Sequence, residues 1–244
     1  MTTYQTTTRG LVRFLGTAAQ HKEGALVALA MFAVTALYEM LSLYFVPSYS
    51  LNMFEFVGTW SGLVCVWLTR TQNILCWPWG IVSSLALGYF FMQIGLPGQQ
   101  WLNWVFFVAI QVWGWPYWVW GGAQRQELPV TSLAWKGRML AVLAVAAGTA
   151  AVYMFIGYIA PGSLYPWLDS TVVAASVVAQ FLLGRKKVES WLLWLGPVNM
   201  LSICLFFLAG AYTLMALYVA FFIHAAFAIV EWRRAELAKI VYEQ

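Results

Sequence analysis

The chain has 244 residues, of which 62% are hydrophobic and only 9% are charged. A soluble domain carries charge on about a quarter of its residues, so this composition excludes a soluble globular protein and predicts one embedded in a lipid bilayer. The formal net charge of +4 comes from basic residues close to the ends of apolar stretches. That placement indicates membrane topology rather than binding to nucleic acid.

Eight apolar segments predict an all-α polytopic protein with eight transmembrane helices, since a crossing helix needs about 20 mostly apolar residues. The predicted parts are, in chain order, a cytoplasmic N-terminal segment (1–23), an extra transmembrane helix (24–46), a first group of three helices (50–121), a linker helix (139–160), a second group of three helices (166–234) and a cytoplasmic tail (235–244).

The longest apolar stretch, residues 191–230, must contain two of these helices. As one helix it would be about 60 Å long, roughly twice the hydrocarbon thickness of a bilayer. The sequence GAYT at 210–213 is the predicted turn, and GLPG at 95–98 is the corresponding turn earlier in the chain.

Basic residues predict the orientation. All thirteen Lys and Arg fall on one side of the eight crossings, and the alternate connections, near residues 47–55, 95–100, 160–168 and 209–213, contain none. Connections rich in Lys and Arg stay in the cytoplasm. Both termini are therefore expected to be cytoplasmic.

The two groups of three helices look like copies of one unit. A displacement of 117 residues, reduced by three after the tight turn, aligns these pairs: Trp77 with Trp194, Trp104 with Tyr218, Gln111 with Ala225, and Trp118 with Trp232. One linker helix between two three-helix units leaves both units pointing the same way, a 3+1+3 plan known in transporters. Pro78 and Pro197 fall at equivalent places and predict paired kinks.

Polar groups at membrane depth are costly and are functional candidates. Counted from the helix ends, Ser83 and its neighbour Ser84, Gln111, Asn199 and His224 lie near the middle of the membrane. Each could also be an interhelical hydrogen-bonding residue, and a serine can bond to its own helix.

Two further polar residues lie away from this level. Asn73 is expected to cap the third helix or line the inner exit. Glu39, in the extra helix, is expected to have a structural or subunit-interface role rather than to balance a cationic ligand.

Aromatic residues are the second set of candidates, because the chain has 15 Trp. Trp115 and Trp118 follow Gln111 at i+4 and i+7, on roughly the same helix face. The other candidates are Trp77, Trp194 and Tyr218. Such rings suit a flat, partly cationic ligand, which gains a cation–π contribution of about 0.5–2 kcal/mol. The alternative is that they only fill space between helices.

Several kinds of chemistry have no support in the sequence. The three cysteines form no CxxC pair, and no H-E-x-x-H spacing is present, so neither a metal nor a cofactor is predicted. The spans contain few acidic residues and no acid relay or nucleotide-binding loop. A passive carrier is therefore favoured over an enzyme, a pump or an ion-coupled symporter.

Three segments carry a resemblance to a known family: RTQNILCWPWG (70–80), QVWGWPYW (111–118) and RKKVESWLLW (185–194). They resemble the PnuC family of bacterial vitamin B3 transporters. The resemblance implies a SWEET-like fold, facilitated diffusion of nicotinamide riboside, and a homotrimer in the bacterial inner membrane. The alternatives are a carrier of thiamine, riboflavin or a small sugar on the same fold, a membrane-embedded enzyme, and a scaffold or receptor that transports nothing.

Overall fold

A computed structural model describes residues 10–47 and 49–242, and its regular elements are helices. Residues 1–9 of the predicted N-terminal segment and the last two residues of the tail lie outside that range. A short helix (10–15) is followed by eight long helices: α1 (Ala18–Phe45), α2 (Met53–Arg70), α3 (Cys76–Gln93), α4 (97–120), α5 (Trp135–Ile159), α6 (Pro166–Gly184), α7 (Glu189–Leu208) and α8 (Tyr212–Tyr242). The predicted all-α fold with eight long helices is confirmed.

Five helical stretches are long and apolar enough to cross a membrane: Gly10–Phe45, Trp135–Ile159, Pro166–Gly184, Glu189–Leu208 and Tyr212–Ala238. They contain α1 and α5 to α8. The other three helices, α2, α3 and α4, are rich in tryptophan, glycine and hydroxyl-bearing residues, which makes them less apolar. Those same three helices supply much of the cavity described below.

Capping explains where two helices begin. α1 begins at Ala18, six residues before the predicted start, because Thr17 and Gln20 form a capping box in which each side chain accepts a hydrogen bond from the other's backbone N–H. α2 begins at Met53 because the Asn52 side chain accepts from the backbone N–H groups of Phe54 and Glu55.

The helices alternate in direction, so the bundle has two distinct ends. We call the end with loops 71–75, 121–134 and 185–188 the basic end, and the end with turns 94–96 and 209–211 the turn end. At the turn end, Gly95 and Gly210 have φ of +72° and +70°, a conformation that glycine adopts at little cost. The predicted fold-back near residue 210 is confirmed.

The backbone repeats at a spacing that differs from the predicted one. Gln72 and Lys186, 114 positions apart, share a positive φ. The bond from Asn73 N to Leu68 O recurs, also 114 positions on, from Lys187 N to Leu182 O. At the turn end Gly95 and Gly210 are 115 positions apart. The displacement of 117 is wrong for the first hairpin, where Trp77 corresponds to Trp191 rather than to Trp194.

Two π-helical turns account for the change from 114 to 115. Such a turn inserts one extra residue into a helix. One lies in α7, at Trp194–Val198, and the other in α4, at Leu102–Phe107. The residue inserted in α7 belongs to the second group, so it raises the spacing between corresponding residues from 114 to 115. The residue inserted in α4 belongs to the first group, so it lowers that spacing to 114 again, the value for Trp118 and Trp232.

The two prolines that were expected to make paired kinks lie in different local structures. Pro197 lies inside the π turn of α7. Pro78 is the third residue of α3, which is otherwise regular. Proline is tolerated in the first turn of a helix, since the N–H groups there have no partner within the helix.

Buried carboxylates join elements at the turn end. Asp169, in the first turn of α6, is fully buried and accepts from Gly98 N (3.1 Å) and Gln99 Nε2 (2.9 Å) at the start of α4. Glu55, 114 positions before Asp169, is also buried, at the start of α2. The Asp169 carboxylate thus ties the second three-helix group to the first.

The extra helix α1 joins the same end of the bundle. Glu39 of α1 is buried and accepts a hydrogen bond from the Tyr49 hydroxyl, which lies 3.2 Å from Thr213 Oγ1. These contacts agree with the structural role expected for Glu39.

Candidate functional site

A cavity lies between the two three-helix groups. It is lined by Gly62, Cys65, Val66, Thr69, Cys76, Trp77, Gly80, Ser83, Ser84, Leu87, Asn103, Phe107, Gln111, Gln180, Leu183, Trp191, Trp194, Asn199, Tyr218, Phe221 and Ala225. None of these lining residues is charged. The cavity therefore offers aromatic faces, amides, hydroxyls and thiols to a ligand.

Two amide oxygens in this lining have no hydrogen-bond partner in the described part of the chain. Gln111 donates from Nε2 to Ser84 Oγ (2.9 Å), which fixes its amide and leaves Oε1 unpaired. Asn199, at the end of the π turn in α7, is 1% exposed and its Oδ1 is also unpaired. Buried polar atoms are almost always paired in folded proteins, so unpaired acceptors in a cavity indicate a ligand with N–H or O–H donors.

Three indoles supply the matching donors. The Nε1 atoms of Trp77, Trp191 and Trp194 are buried and have no acceptor among the described residues. Donors and acceptors that converge on a mostly apolar cavity are typical of small-molecule sites. The arrangement can bind a flat ring between indoles while hydrogen bonds fix its substituents.

A group of four tryptophans closes the cavity toward the basic end. We call Trp77, Trp118, Trp191 and Trp232 the tryptophan tetrad. Trp77 meets Trp118 edge-to-face at 5.0 Å, and Trp191 meets Trp232 in the same way at 5.5 Å, each with an interplanar angle of 83°. The two pairs are 114 positions apart, so the tetrad has nearly two-fold symmetry.

Two phenylalanines close the cavity toward the turn end. Phe91 and Phe206, 115 positions apart, are both fully buried and stack with ring centroids 5.7 Å apart. The bundle thus has an aromatic group on either side of the cavity, the tetrad toward the basic end and the stacked phenylalanines toward the turn end.

Six of the ten predicted site residues line this cavity: Gln111, Asn199, Ser83, Trp77, Trp194 and Tyr218. The hydroxyl of Ser83 donates to Gly58 O of α2 (2.8 Å) rather than to its own helix. Ser84, which also lines the cavity, holds Gln111.

Two predicted tryptophans of α4 do not line the cavity. Trp115 donates from Nε1 to Phe14 O (2.8 Å) and stacks on the Phe14 ring, so it holds the segment before α1. Trp118 belongs to the tetrad, beneath Trp77. The indole of Trp77 approaches α4 closely at Gly114, where an added Cβ would lie 2.2 Å from the ring.

Two further predicted residues also lie elsewhere. Asn73 caps the start of α3 through Leu75 N and donates to Gln20 O and to a Glu23 carboxylate oxygen. The capping expected for it is thus present. His224 faces α2, where its ring lies 5.6 Å from that of Trp67. The direction of the His224 side chain depends on how α8 is rotated about its axis. The surface of α8 is apolar on all sides, so the sequence does not specify that rotation.

The sequence analysis missed several lining residues: Cys65, Thr69, Cys76, Asn103, Phe107, Gln180, Trp191 and Phe221. Of these residues, Trp191 could have been predicted most easily, because it precedes Trp194 by three positions on the same helix face. Asn103 and Phe107 lie in the π turn of α4, and no sequence signal for that turn was recognised.

A small residue sets the position of Gln111, which leads to a prediction. A Cβ at Gly80 would lie 1.8 Å from Gln111 Oε1 and 3.0 Å from Cys65 Sγ. Gly80→Ala should therefore displace the amide and weaken ligand binding about tenfold, as expected for one lost hydrogen bond. Gly157→Ala in α5, where an added Cβ meets nothing within 4 Å, is the control. Equal dissociation constants for the two folded variants would contradict the role given to Gly80.

Comparison with known sequences now identifies the family. Residues 52–234 match the family described as nicotinamide mononucleotide transporter. The chain belongs to the nicotinamide mononucleotide transporter family. It is a membrane transporter rather than an enzyme, and the resemblance found in its tryptophan-rich segments is confirmed.

Individual members of this family show the same relationship. The chain is 30% identical over 199 residues to the nicotinamide riboside transporter PnuC of Escherichia coli K12, covering 70% of this chain and 81% of that one. It is 29% identical over 145 residues to the riboflavin/roseoflavin transporter RibM of Streptomyces davaonensis, covering 58% and 66%. A crystal structure of the vitamin B3 transporter PnuC has the same fold, with a TM-score of 0.71 at 23% identity over 90% of this chain and 98% of that one.

Proposed function

We propose that the protein carries nicotinamide riboside across the membrane by facilitated diffusion. The observation that supports this most directly is the uncharged cavity with unpaired indole donors and amide acceptors. Nicotinamide riboside has a cationic pyridinium ring, which suits indole faces. Its carboxamide and ribose hydroxyls supply donors for Gln111 and Asn199, and acceptors for the indole N–H groups.

The charge of the lining favours the riboside over the mononucleotide. A mononucleotide carries a phosphate, and the described lining contains neither Lys nor Arg to balance it. Moving an unpaired anion from water into such a cavity is strongly unfavourable. The riboside, with a single delocalised positive charge, avoids that cost.

Titration of intrinsic tryptophan fluorescence tests the substrate. Nicotinamide riboside should quench the fluorescence of the purified protein saturably, because indoles line the cavity. Nicotinamide mononucleotide should bind at least about 100-fold more weakly, a difference of about 2.8 kcal/mol for the uncompensated phosphate. Equal affinity for the two would contradict the uncharged-cavity argument.

Riboflavin is the second candidate, because of the similarity to RibM. Its flat ring also suits indole faces, but it lacks the pyridinium charge. Thiamine is a further comparison. Saturation by riboflavin or thiamine with no response to nicotinamide riboside would keep the carrier and replace its substrate.

The proposed transport cycle uses the two three-helix groups as rocking units around the cavity, with the basic end in the cytoplasm of a bacterium and the protein in its inner membrane. The basic residues at one end of the bundle support this orientation. Uptake into liposomes should persist without a sodium or proton gradient; its collapse on removal of either gradient would overturn facilitated diffusion.

A homotrimer is part of the proposal. α5 is exposed along nearly its whole length, with only Ile156 buried, and α1 is largely exposed as well. These apolar faces are available to lipid or to other copies of the chain. A native mass of three chains in mild detergent would support the trimer, and a mass of one chain would contradict it.

A further inference from the structure

A lysine with almost no exposed surface lies at the basic end, outside the cavity. Lys186, between α6 and α7, is 1% exposed. Its Nζ donates to Glu127 Oε1 (2.8 Å) and to Gln72 Oε1 (3.2 Å). The ammonium also lies 4.6 Å from the centre of the Trp118 ring. Each of its partners comes from the first three-helix group or from the connection that follows it.

The contact between Lys186 and Gln72 joins corresponding residues of the two groups. They are 114 positions apart, both have a positive φ, and both lie in the loop between the first two helices of their group. A contact between corresponding residues lies on the approximate two-fold axis that relates the groups. The stack of Phe91 on Phe206 occupies the same axis at the turn end.

The backbone around Lys186 strengthens this connection. The α4–α5 loop pairs with it, through Thr131 N to Lys186 O (3.1 Å) and Val188 N to Thr131 O (3.1 Å). Leu128 N of the same loop bonds to Trp118 O (3.0 Å). The loop therefore holds Glu127 over the ammonium and the ammonium over the tetrad.

Burial of this ammonium carries a cost. Burial lowers the pKa of Lys186, and the Glu127 carboxylate opposes that change. A buried charge is tolerated when it is paired and fully hydrogen-bonded. Separation of the two groups at the basic end would break the contacts with Gln72, Glu127 and Trp118 together. These contacts therefore belong to one state of the protein, the state in which the basic end is closed.

We propose that Lys186 is the lock of the basic-end gate: its ammonium holds the two three-helix groups together over the tryptophan tetrad and must leave for the cavity to open at that end. The side chain of Glu127 is 67% exposed, so it can move into solvent with the lysine. Asp169 holds the opposite, turn end in a comparable way. At each end, a buried ionisable side chain of the second group is thus bound to the first group.

Labelling of a cavity thiol tests this without any substrate. The substitutions Cys76→Ser and Cys204→Ser leave Cys65, which lines the cavity, as the only cysteine of the chain. A membrane-impermeant methanethiosulfonate is applied to vesicles that expose either the basic end or the turn end. Lys186→Met should raise the labelling rate from the basic end at least about tenfold, because a lost charge-assisted contact shifts the gate equilibrium. The rate from the turn end should not rise.

Two variants serve as controls. Arg185→Met removes the neighbouring charge, which is exposed and lies over Phe181 of its own helix, and should leave both rates unchanged. Asp169→Asn should accelerate labelling from the turn end only. Should Lys186→Met fail to fold, Glu127→Gln, which removes the charged partner at an exposed position, should give a smaller increase from the basic end.

The proposal rests on the alternating opening described under the proposed function, yet its test is separate. If folded Lys186→Met or Glu127→Gln is labelled from the basic end at an unchanged rate, the role proposed for Lys186 is wrong, whatever the substrate. An equal rise from both ends would also overturn it, because that indicates general loosening. Failure of nicotinamide riboside to bind would replace the cargo without affecting this result.

Discussion

Nicotinamide riboside should bind about 10- to 100-fold more weakly to Asn199→Ala than to the unaltered protein. Asn199 is buried in the cavity lining, and its Oδ1 has no partner among the described residues. A hydrogen bond from the ligand to this atom forms in a site of low polarity, where its loss costs about 1.4–2.8 kcal/mol. Gln111→Ala should have a similar effect, since it removes Oε1.

The measurement is the dissociation constant of purified protein, from calorimetry or tryptophan quenching. Gln126→Ala removes an amide of the same kind from an exposed position at the basic end, so its dissociation constant should equal that of the unaltered protein. Unchanged affinity in folded Asn199→Ala would mean that the ligand does not use this oxygen. The cavity would then require a different pose or a different ligand.

Asp169→Ala should produce the largest loss of thermal stability. The carboxylate is fully buried and accepts two hydrogen bonds, from Gly98 N and Gln99 Nε2. Alanine leaves both donors unpaired, at a cost of about 3 kcal/mol. For a chain of this size that corresponds to a fall in apparent Tm of roughly 6–12 °C.

Thermal unfolding in detergent, followed by intrinsic fluorescence, checks this. Asp169→Asn retains an acceptor oxygen and should lower the Tm by less. Glu231→Gln, at the opposite end of the bundle, removes a carboxylate that pairs with Arg70 but is 41% exposed. It should change the Tm little, because exposed ion pairs contribute weakly. Equal shifts for Asp169→Ala and Glu231→Gln would show that Asp169 does not hold the turn end together.

Part of the cavity lining was predictable from the sequence, and the direction that each helix face points was not. Gln111 and Asn199 were found by counting from helix ends, which needs only the rise per residue. Trp115 is one helical turn from Gln111 yet packs on Phe14. The helices are apolar on all sides, so the pattern of residues contains little information about rotation.

The repeat was partly predictable for a related reason. Trp118 and Trp232 were matched correctly, because the residue inserted in α4 and the residue inserted in α7 cancel before this pair is reached. Trp77 was matched to Trp194 instead of Trp191, because the displacement of 117 does not hold in the first hairpin. A π turn adds one residue without any charged side chain to mark it, so its effect on the spacing of the repeat is visible only in three dimensions.

The two π turns also have a consequence for how a ligand is oriented. Walls related by perfect two-fold symmetry would accept the same molecule in two equivalent poses, turned end for end. One inserted residue in α4 and one in α7, which are not corresponding helices, change the lining near Asn103 and Phe107 and near Trp194 and Asn199 in different ways. A duplicated scaffold has in this way become an asymmetric site, in which a molecule with two unlike halves has a single preferred orientation.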